Sequence, residues 1–213
     1  MTPNAKCPNI YVIGPQSTGK TSLVKQLRSQ LGTWLANTSI DQPQIISEVA
    51  RTVLSKHKLT AEDVTASEKR CRTLQRLILE AQAQAEKEGL MKSSWLISDR
   101  SGVDPLVYAK RFASTKAAAE LQRHDAWIEL RGRMADSLIV VCESGTPWLT
   151  DDRVRLMPES EEAWKQLFDD FCELLHDVGL CYVVVPRTML DLSERADFVR
   201  LHWERQSRSV INN

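Results

Sequence analysis

Eight residues near the start of the chain constrain it more than any others: Gly14-Pro15-Gln16-Ser17-Thr18-Gly19-Lys20-Thr21. They match G-x-x-x-x-G-K-[ST] in full, which arises by chance in roughly one chain of this length in a hundred. The context also fits. Ile10-Tyr11-Val12-Ile13 reads as a strand before the loop, and a helical pattern follows from about Lys20 to Leu31. Gly14 and Gly19 allow backbone torsions and close approaches that a side chain would block. Peptide N–H groups from Gln16, Ser17, Thr18, Gly19 and the first helical turn, Lys20, Thr21 and Ser22, point inward, where the helix dipole also favours anions. Lys20 places a cation on the β/γ-phosphates, and the Thr21 hydroxyl ligates Mg²⁺. The loop therefore predicts binding of ATP, or a close relative, with Mg²⁺.

The rest of the chain alternates short apolar runs with longer helical patterns, the signature of an α/β domain. Further strands are expected at Gln44–Ser47, Trp95–Ser98, Ser137–Cys142 and Cys181–Val185. A long helix is expected from Ala61 to Glu88, with Thr60 and Asp63 in capping-box spacing and Gly89 as its stop. Two helices are expected between Val103 and Met134. Another carries Trp164, Leu167, Phe171 and Leu174 and ends at Gly179, and a last one is capped by Asp191 and Glu194 and runs through Trp203. The expected fold is a three-layer sandwich with a five-stranded, mostly parallel sheet and helices on both faces. No repeat or Pro/Gly-rich linker interrupts the pattern, so residues 1–213 read as a single domain.

Composition narrows the partners. Lysine plus arginine number 28 and aspartate plus glutamate 28, so no net charge draws the chain to nucleic acid or anionic lipid. Five cysteines are scattered without C-x-x-C spacing, which suits a reducing compartment better than a disulfide scaffold. No apolar run has membrane-spanning length, and a cytoplasmic location is the expectation. The four histidines show no metal spacing, and the six tryptophans read mostly as core, with Trp148 the exception.

A phosphate loop needs a second Mg²⁺ anchor at the end of a neighbouring strand. Asp99 follows the third strand directly and is either that anchor or a helix N-cap, or both. Arg100 comes next, where an arginine reaches phosphate or substrate. Glu48 and Arg51 lie beyond the second strand. They are either an acceptor-side base with its orienting cation or a surface pair at a helix start. The segment from Glu143 to Arg155 reads as a loop. It is either a lid bringing Arg153 and Arg155 to the γ-phosphate or an ordinary solvated connection.

Taken together, Gly14 to Thr21, Glu48-Val49-Ala50-Arg51, Asp99-Arg100-Ser101-Gly102-Val103-Asp104 and Pro147-Trp148 followed by Asp151-Asp152-Arg153-Val154-Arg155 resemble the NadR-like family of P-loop domains, named for a ribosylnicotinamide kinase domain. The resemblance implies that Glu48 and Arg51 serve the acceptor, Asp99 the metal, and Arg155 the lid; Arg100 and Asp104 are further candidates for binding the substrate. It departs in the lid, where Arg153 replaces the family's glycine and one extra residue follows Trp148. The expected function is transfer of the γ-phosphate of ATP to a hydroxyl of a small, nucleoside-like acceptor. A nucleotide-dependent switch acting through a protein partner is the alternative, although no N-K-x-D motif is present for reading guanine. Catalysis would rest on Lys20, Glu48, Asp99, Arg100 and Arg155.

Overall fold

The computed structural model describes residues 7–36, 38–60, 62–148 and 156–211. Parity along the first strand, β1 (Ile10–Ile13), decides the layering. Successive strand side chains point to opposite faces. Ile10 and Val12 enter one hydrophobic cluster and Tyr11 and Ile13 another. A strand covered on both faces has no use for polar alternation, which is why this run is apolar throughout.

Around β1 lie β2 (Gln44–Ile46), β3 (Leu96–Asp99), β4 (Leu138–Cys142) and β5 (Val183–Val185). The order is β2-β3-β1-β4-β5 and every pairing is parallel, so the sheet expected to be mostly parallel is wholly so. Helices α1 (Lys20–Leu35) and α9 (Leu192–Ile211) cover one face with Leu23, Leu27, Leu31, Val199 and Trp203. The other face is covered by α4 (Glu68–Leu90), α5 (Val103–Phe112), α7 (Asp125–Ala135) and α8 (Glu161–Asp177). Two short helices, α2 (Val49–His57) and α3 (Asp63–Ala66), lean on α4 through Val53, Val64, Cys71 and Leu74. The remaining helix, α6 (Thr115–Gln122), packs beside α5. No helix among the described residues is long and apolar enough to cross a membrane.

Several local expectations change. The single helix expected from Ala61 breaks at Ser67, whose extended backbone (φ −166°, ψ 153°) lets its hydroxyl accept the Arg70 N–H at 3.2 Å. The Thr60–Asp63 spacing does act as half a capping box, since Asp63 accepts the Thr60 N–H at 2.8 Å. Gly89 stops nothing; it lies inside α4, where a Cβ would come within 2.8 Å of Ile46 Cδ1. Its role is close approach of helix to sheet. The two helices expected after Val103 are three, because Ser114 and His124 each cap a new start. Helix α2 starts at Val49, where the sequence offered a helix start as one of two readings of the Glu48–Arg51 pair.

The strand order reverses at β1, and in open α/β sheets ligands bind in the crevice outside the carboxyl ends at such a point. Register sets Val12 beside Asp99 there. A buried network holds this junction: Tyr11 donates to Glu86 at 2.8 Å, and Gln82 bonds both Glu86 (2.8 Å) and Ser98 (2.9 Å). Burial pushes the Glu86 carboxyl up to about 7, against the opposing pull of Gln82 and Arg133.

Candidate functional site

Each residue of the phosphate loop except Pro15 carries one N–H and one C=O that must find a partner, and Pro15 carries the C=O alone. Here the carbonyls of 15–18 are all occupied by side-chain donors. Pro15 accepts from Thr18 Oγ1 (3.0 Å) and from Lys20, and Gln16 accepts the buried Trp164 indole N–H (3.0 Å). Ser17 accepts from the Thr146 hydroxyl (3.3 Å) and Thr18 from the Arg195 guanidinium (2.8 Å). With the carbonyls occupied, the loop N–H groups are available to an anion. Gly14, at φ +124°, permits the loop to leave β1 against β4, since a Cβ there would lie 2.7 Å from the Cys142 carbonyl oxygen.

Lys20 is 5% exposed and folds back onto Pro15 O and Thr18 Oγ1. Burial, reinforced by the nearby Arg100 charge, lowers it to about 8. A buried ammonium with no carboxylate in contact among the described residues is ready for a ligand's charge. Thr21 Oγ1 donates to Asp99 Oδ2 at 2.5 Å, while Asp99 Oδ1 is buried with no hydrogen-bond partner. A hydroxyl and a carboxylate oxygen are hard donors of the kind Mg²⁺ takes alongside phosphate oxygens. The donor set therefore fits a magnesium–nucleotide. Asp99 ends β3 and caps no helix, as the position before α5 belongs to Gly102.

Glu48 occupies the N-cap position of α2 but its carboxylate makes no cap bond. It takes Arg51 Nε at 2.9 Å and Arg100 Nε at 2.7 Å instead. Burial alone would raise Glu48, but Arg100 and Arg51 outweigh it and bring the carboxyl to about 2. Arg100 also reaches Asp104 at 3.0 Å, and Asp104 is fixed by the Ser101 N–H at 2.9 Å. Arg100 sits at φ +85°, a torsion that non-glycine residues seldom adopt. Its backbone N–H is held by the Val12 carbonyl at 2.9 Å. Strain of this kind persists only where the surroundings over-determine it.

Two cavities meet at this pair. One, of about 180 Å³, is walled by the loop from Ser17 to Ser22 with Asp99 and Trp148. The other, of about 90 Å³, opens between α2, α4 and α5. Glu48 and Arg100 line both. Gln16, expected on the nucleotide side, turns its side chain to the second cavity and accepts the Tyr108 hydroxyl at 3.2 Å. The structure thus brings together Lys20, Thr21, Glu48, Arg51, Asp99, Arg100 and Asp104. Arg153 and Arg155, with Asp151 and Asp152, lie outside the described residues.

Arg195 was missed. It projects from the start of α9, is 2% exposed, and stacks its guanidinium 5.5 Å from the Trp148 ring centroid. A Cβ on Gly19 would meet Arg195 Nη1 at 3.0 Å and Trp148 Nε1 at 3.5 Å, a second reason for glycine there. Trp148 Nε1, Arg195 Nε, Ser17 Oγ and Asp99 Oδ1 are all buried without partners, so unsatisfied polar atoms gather around the loop. In native proteins such atoms call for an explanation, and a ligand is one. Four of the tryptophans are core, but Trp34 is 41% exposed.

The model of an AAA domain family matches residues 9–195. The chain belongs to this AAA-domain family. No curated protein matches its sequence. Among solved structures, this AAA domain is similar to NadR protein in complex with NR, at 18% identity and TM-score 0.65 over 93% of this chain and 52% of that one. NadR in complex with NAD and AMP-PNP gives 18% identity and TM-score 0.59, covering 95% of this chain and 50% of the other. The chain thus spans about half the length of those NadR structures. A deoxyadenosine kinase from M. mycoides gives 13% identity and TM-score 0.58, covering 92% and 98%. Shikimate kinase from Acinetobacter baumannii in complex with shikimate gives 14% and 0.53, covering 94% and 96%. The AAA domain therefore has the NadR-like P-loop fold, shared with kinases of small molecules.

Proposed function

We propose that this AAA domain is an ATP-dependent kinase that transfers the γ-phosphate to a hydroxyl of a small, nucleoside-like acceptor. The observation that carries the reading is the meeting of the two cavities at Glu48 and Arg100. A protein that only binds and hydrolyses nucleotide has no use for a second chamber that shares a wall with the phosphate site. The NadR, deoxyadenosine kinase and shikimate kinase neighbours support the same class by analogy.

In this reading the loop N–H groups and Lys20 bind the β- and γ-phosphates, and Arg100 faces the transferring group from the other side. Thr21 and Asp99 hold Mg²⁺, which when bound neutralises charge on the phosphates. The acceptor hydroxyl donates a hydrogen bond to Glu48. Its oxygen forms the new bond to phosphorus, the bond to the β–γ bridging oxygen breaks, and ADP departs. Glu48, held at about 2, is ionised but a weak base. It orients the hydroxyl early and receives the proton only late, as the oxygen gains positive character. That suits a loose transition state, which asks more of positioning and electrostatics than of proton abstraction. The test is ADP release by the purified protein with and without candidate alcohols. Release that no alcohol stimulates returns the protein to the nucleotide-switch reading.

A further inference from the structure

The second cavity also carries chemical information about what fills it. Its walls beyond Glu48 are Leu54 of α2, Val64 of α3, Leu74 and Ile78 of α4 and Pro105 of α5. Its open space of about 90 Å³ is several times the roughly 10–15 Å³ that a single water position needs. That is room for a ring rather than a methyl group.

All the described charges lie at the shared end, and they are already matched. Glu48 holds Arg51 and Arg100, and Asp104 holds Arg100. An acceptor bearing a carboxylate or phosphate would set it against Glu48 and Asp104 or strip its water against leucines, and either is costly. A cationic acceptor would compete with Arg51 and Arg100 for the same two carboxylates. Gln16 and the Tyr108 hydroxyl also face this cavity, but they bond each other at 3.2 Å; among the described residues the remaining polar, uncharged side chain in the wall is Gln75, on α4, 3% exposed. Its neighbour is the Cys71 thiol, a weak partner for an amide with two donors and an acceptor.

We propose that the acceptor is an uncharged, ring-bearing alcohol, its hydroxyl at Glu48 and Arg100, its ring against Leu54, Leu74 and Ile78, and a polar group on the ring read by Gln75. This rests on the kinase reading of the same site. A buried glutamine in an apolar wall discriminates by what it loses when unpaired, so Gln75 is a specificity residue remote from the chemistry.

The experiment is calorimetric binding in the presence of AMP-PNP and Mg²⁺, with AMP-PNP affinity as the check that each variant is folded. The probes are uridine, phenyl riboside, which lacks a polar ring edge, orotidine, which adds a carboxylate to the uridine ring, and shikimate. Uridine and phenyl riboside bind, and orotidine and shikimate bind at least about tenfold more weakly. Gln75→Leu weakens uridine about tenfold and leaves phenyl riboside unchanged or tighter. Equal or tighter binding of orotidine or shikimate overturns the proposal. So does failure of both uncharged probes to bind, or equal loss of both in Gln75→Leu. The wild-type comparison stands even if that variant does not fold. ADP release separates this proposal from the kinase reading. Uridine that binds through Gln75 without stimulating release leaves the cavity assignment and removes the kinase. Stimulation by an acid with no binding of the uncharged probes does the reverse.

Discussion

The two cavities that meet at Glu48 and Arg100 are built on opposite principles. Around the phosphate loop, polar atoms are buried without partners, among them Asp99 Oδ1, Ser17 Oγ and Trp148 Nε1, and a lysine is desolvated with no carboxylate in contact among the described residues. Across the shared pair, charge is balanced within the protein and the remaining wall is mostly aliphatic. On the proposed reading, the first cavity is completed by a polyanion and the second excludes one. The difference then teaches how a site made of adjoining chambers would tell donor from acceptor: each chamber penalises the other's ligand.

Lys20→Ala attacks the first chamber where it is most committed. Removing a preorganised cation should lower turnover by about 10²–10³-fold and weaken ATP binding, while thermal unfolding shows an intact fold. ATP affinity unchanged by calorimetry would break the comparison outright. Glu48→Gln strikes the shared wall. Because Glu48 is a weak base here, the loss in kcat should fall near the lower end of the general-base range, about 10²-fold, with ATP affinity nearly unchanged. A loss confined to ATP binding would assign Glu48 to the first chamber alone.

Smaller effects sharpen the contrast. Asp99→Asn should raise the Mg²⁺ concentration needed for half-maximal turnover about tenfold, read by titrating the metal at saturating ATP. The pH dependence of ATP binding follows from Lys20. Its value near 8 in the free protein is raised by bound phosphate, so its contribution is complete below 8 and lost as pH rises beyond it. Affinity should fall by up to about tenfold per pH unit above 8, and the slope should vanish in Lys20→Arg, whose charge persists. Arg195→Met leaves the Thr18 carbonyl without its 2.8 Å partner. An orphaned buried acceptor costs about 1–3 kcal/mol, to be seen as a lowered Tm with a modest fall in nucleotide affinity.

Much of the fold was legible because it depends on local pattern. The limits of β1 and the start of α1 stand where the apolar run and the glycine loop put them. Gly179 ends α8 at φ +68°, as a glycine after a periodic run should. Errors fell where a tertiary contact overrode a local signal. Gly89 looks like a stop in one dimension, but its lack of a side chain serves Ile46 on a strand more than forty residues earlier. Ser67 caps a helix that apolar periodicity alone runs straight through.

The site divides the same way. The chain by itself determined that a strand, a glycine loop and a helix would present Lys20 and Thr21 to phosphate, because that geometry is closed within a dozen consecutive residues. It also put acids and arginines at the carboxyl edge, leaving each between a functional and a structural role. Only the tertiary structure shows which of these side chains meet. Glu48 holds two arginines rather than capping α2, and Asp99 meets Thr21 rather than capping α5. Arg195 reaches the loop across 177 positions of sequence. No local pattern encodes that contact, because its partner is a main-chain carbonyl, and every residue has one. Packing of α9 on α1 alone selects which carbonyl it is.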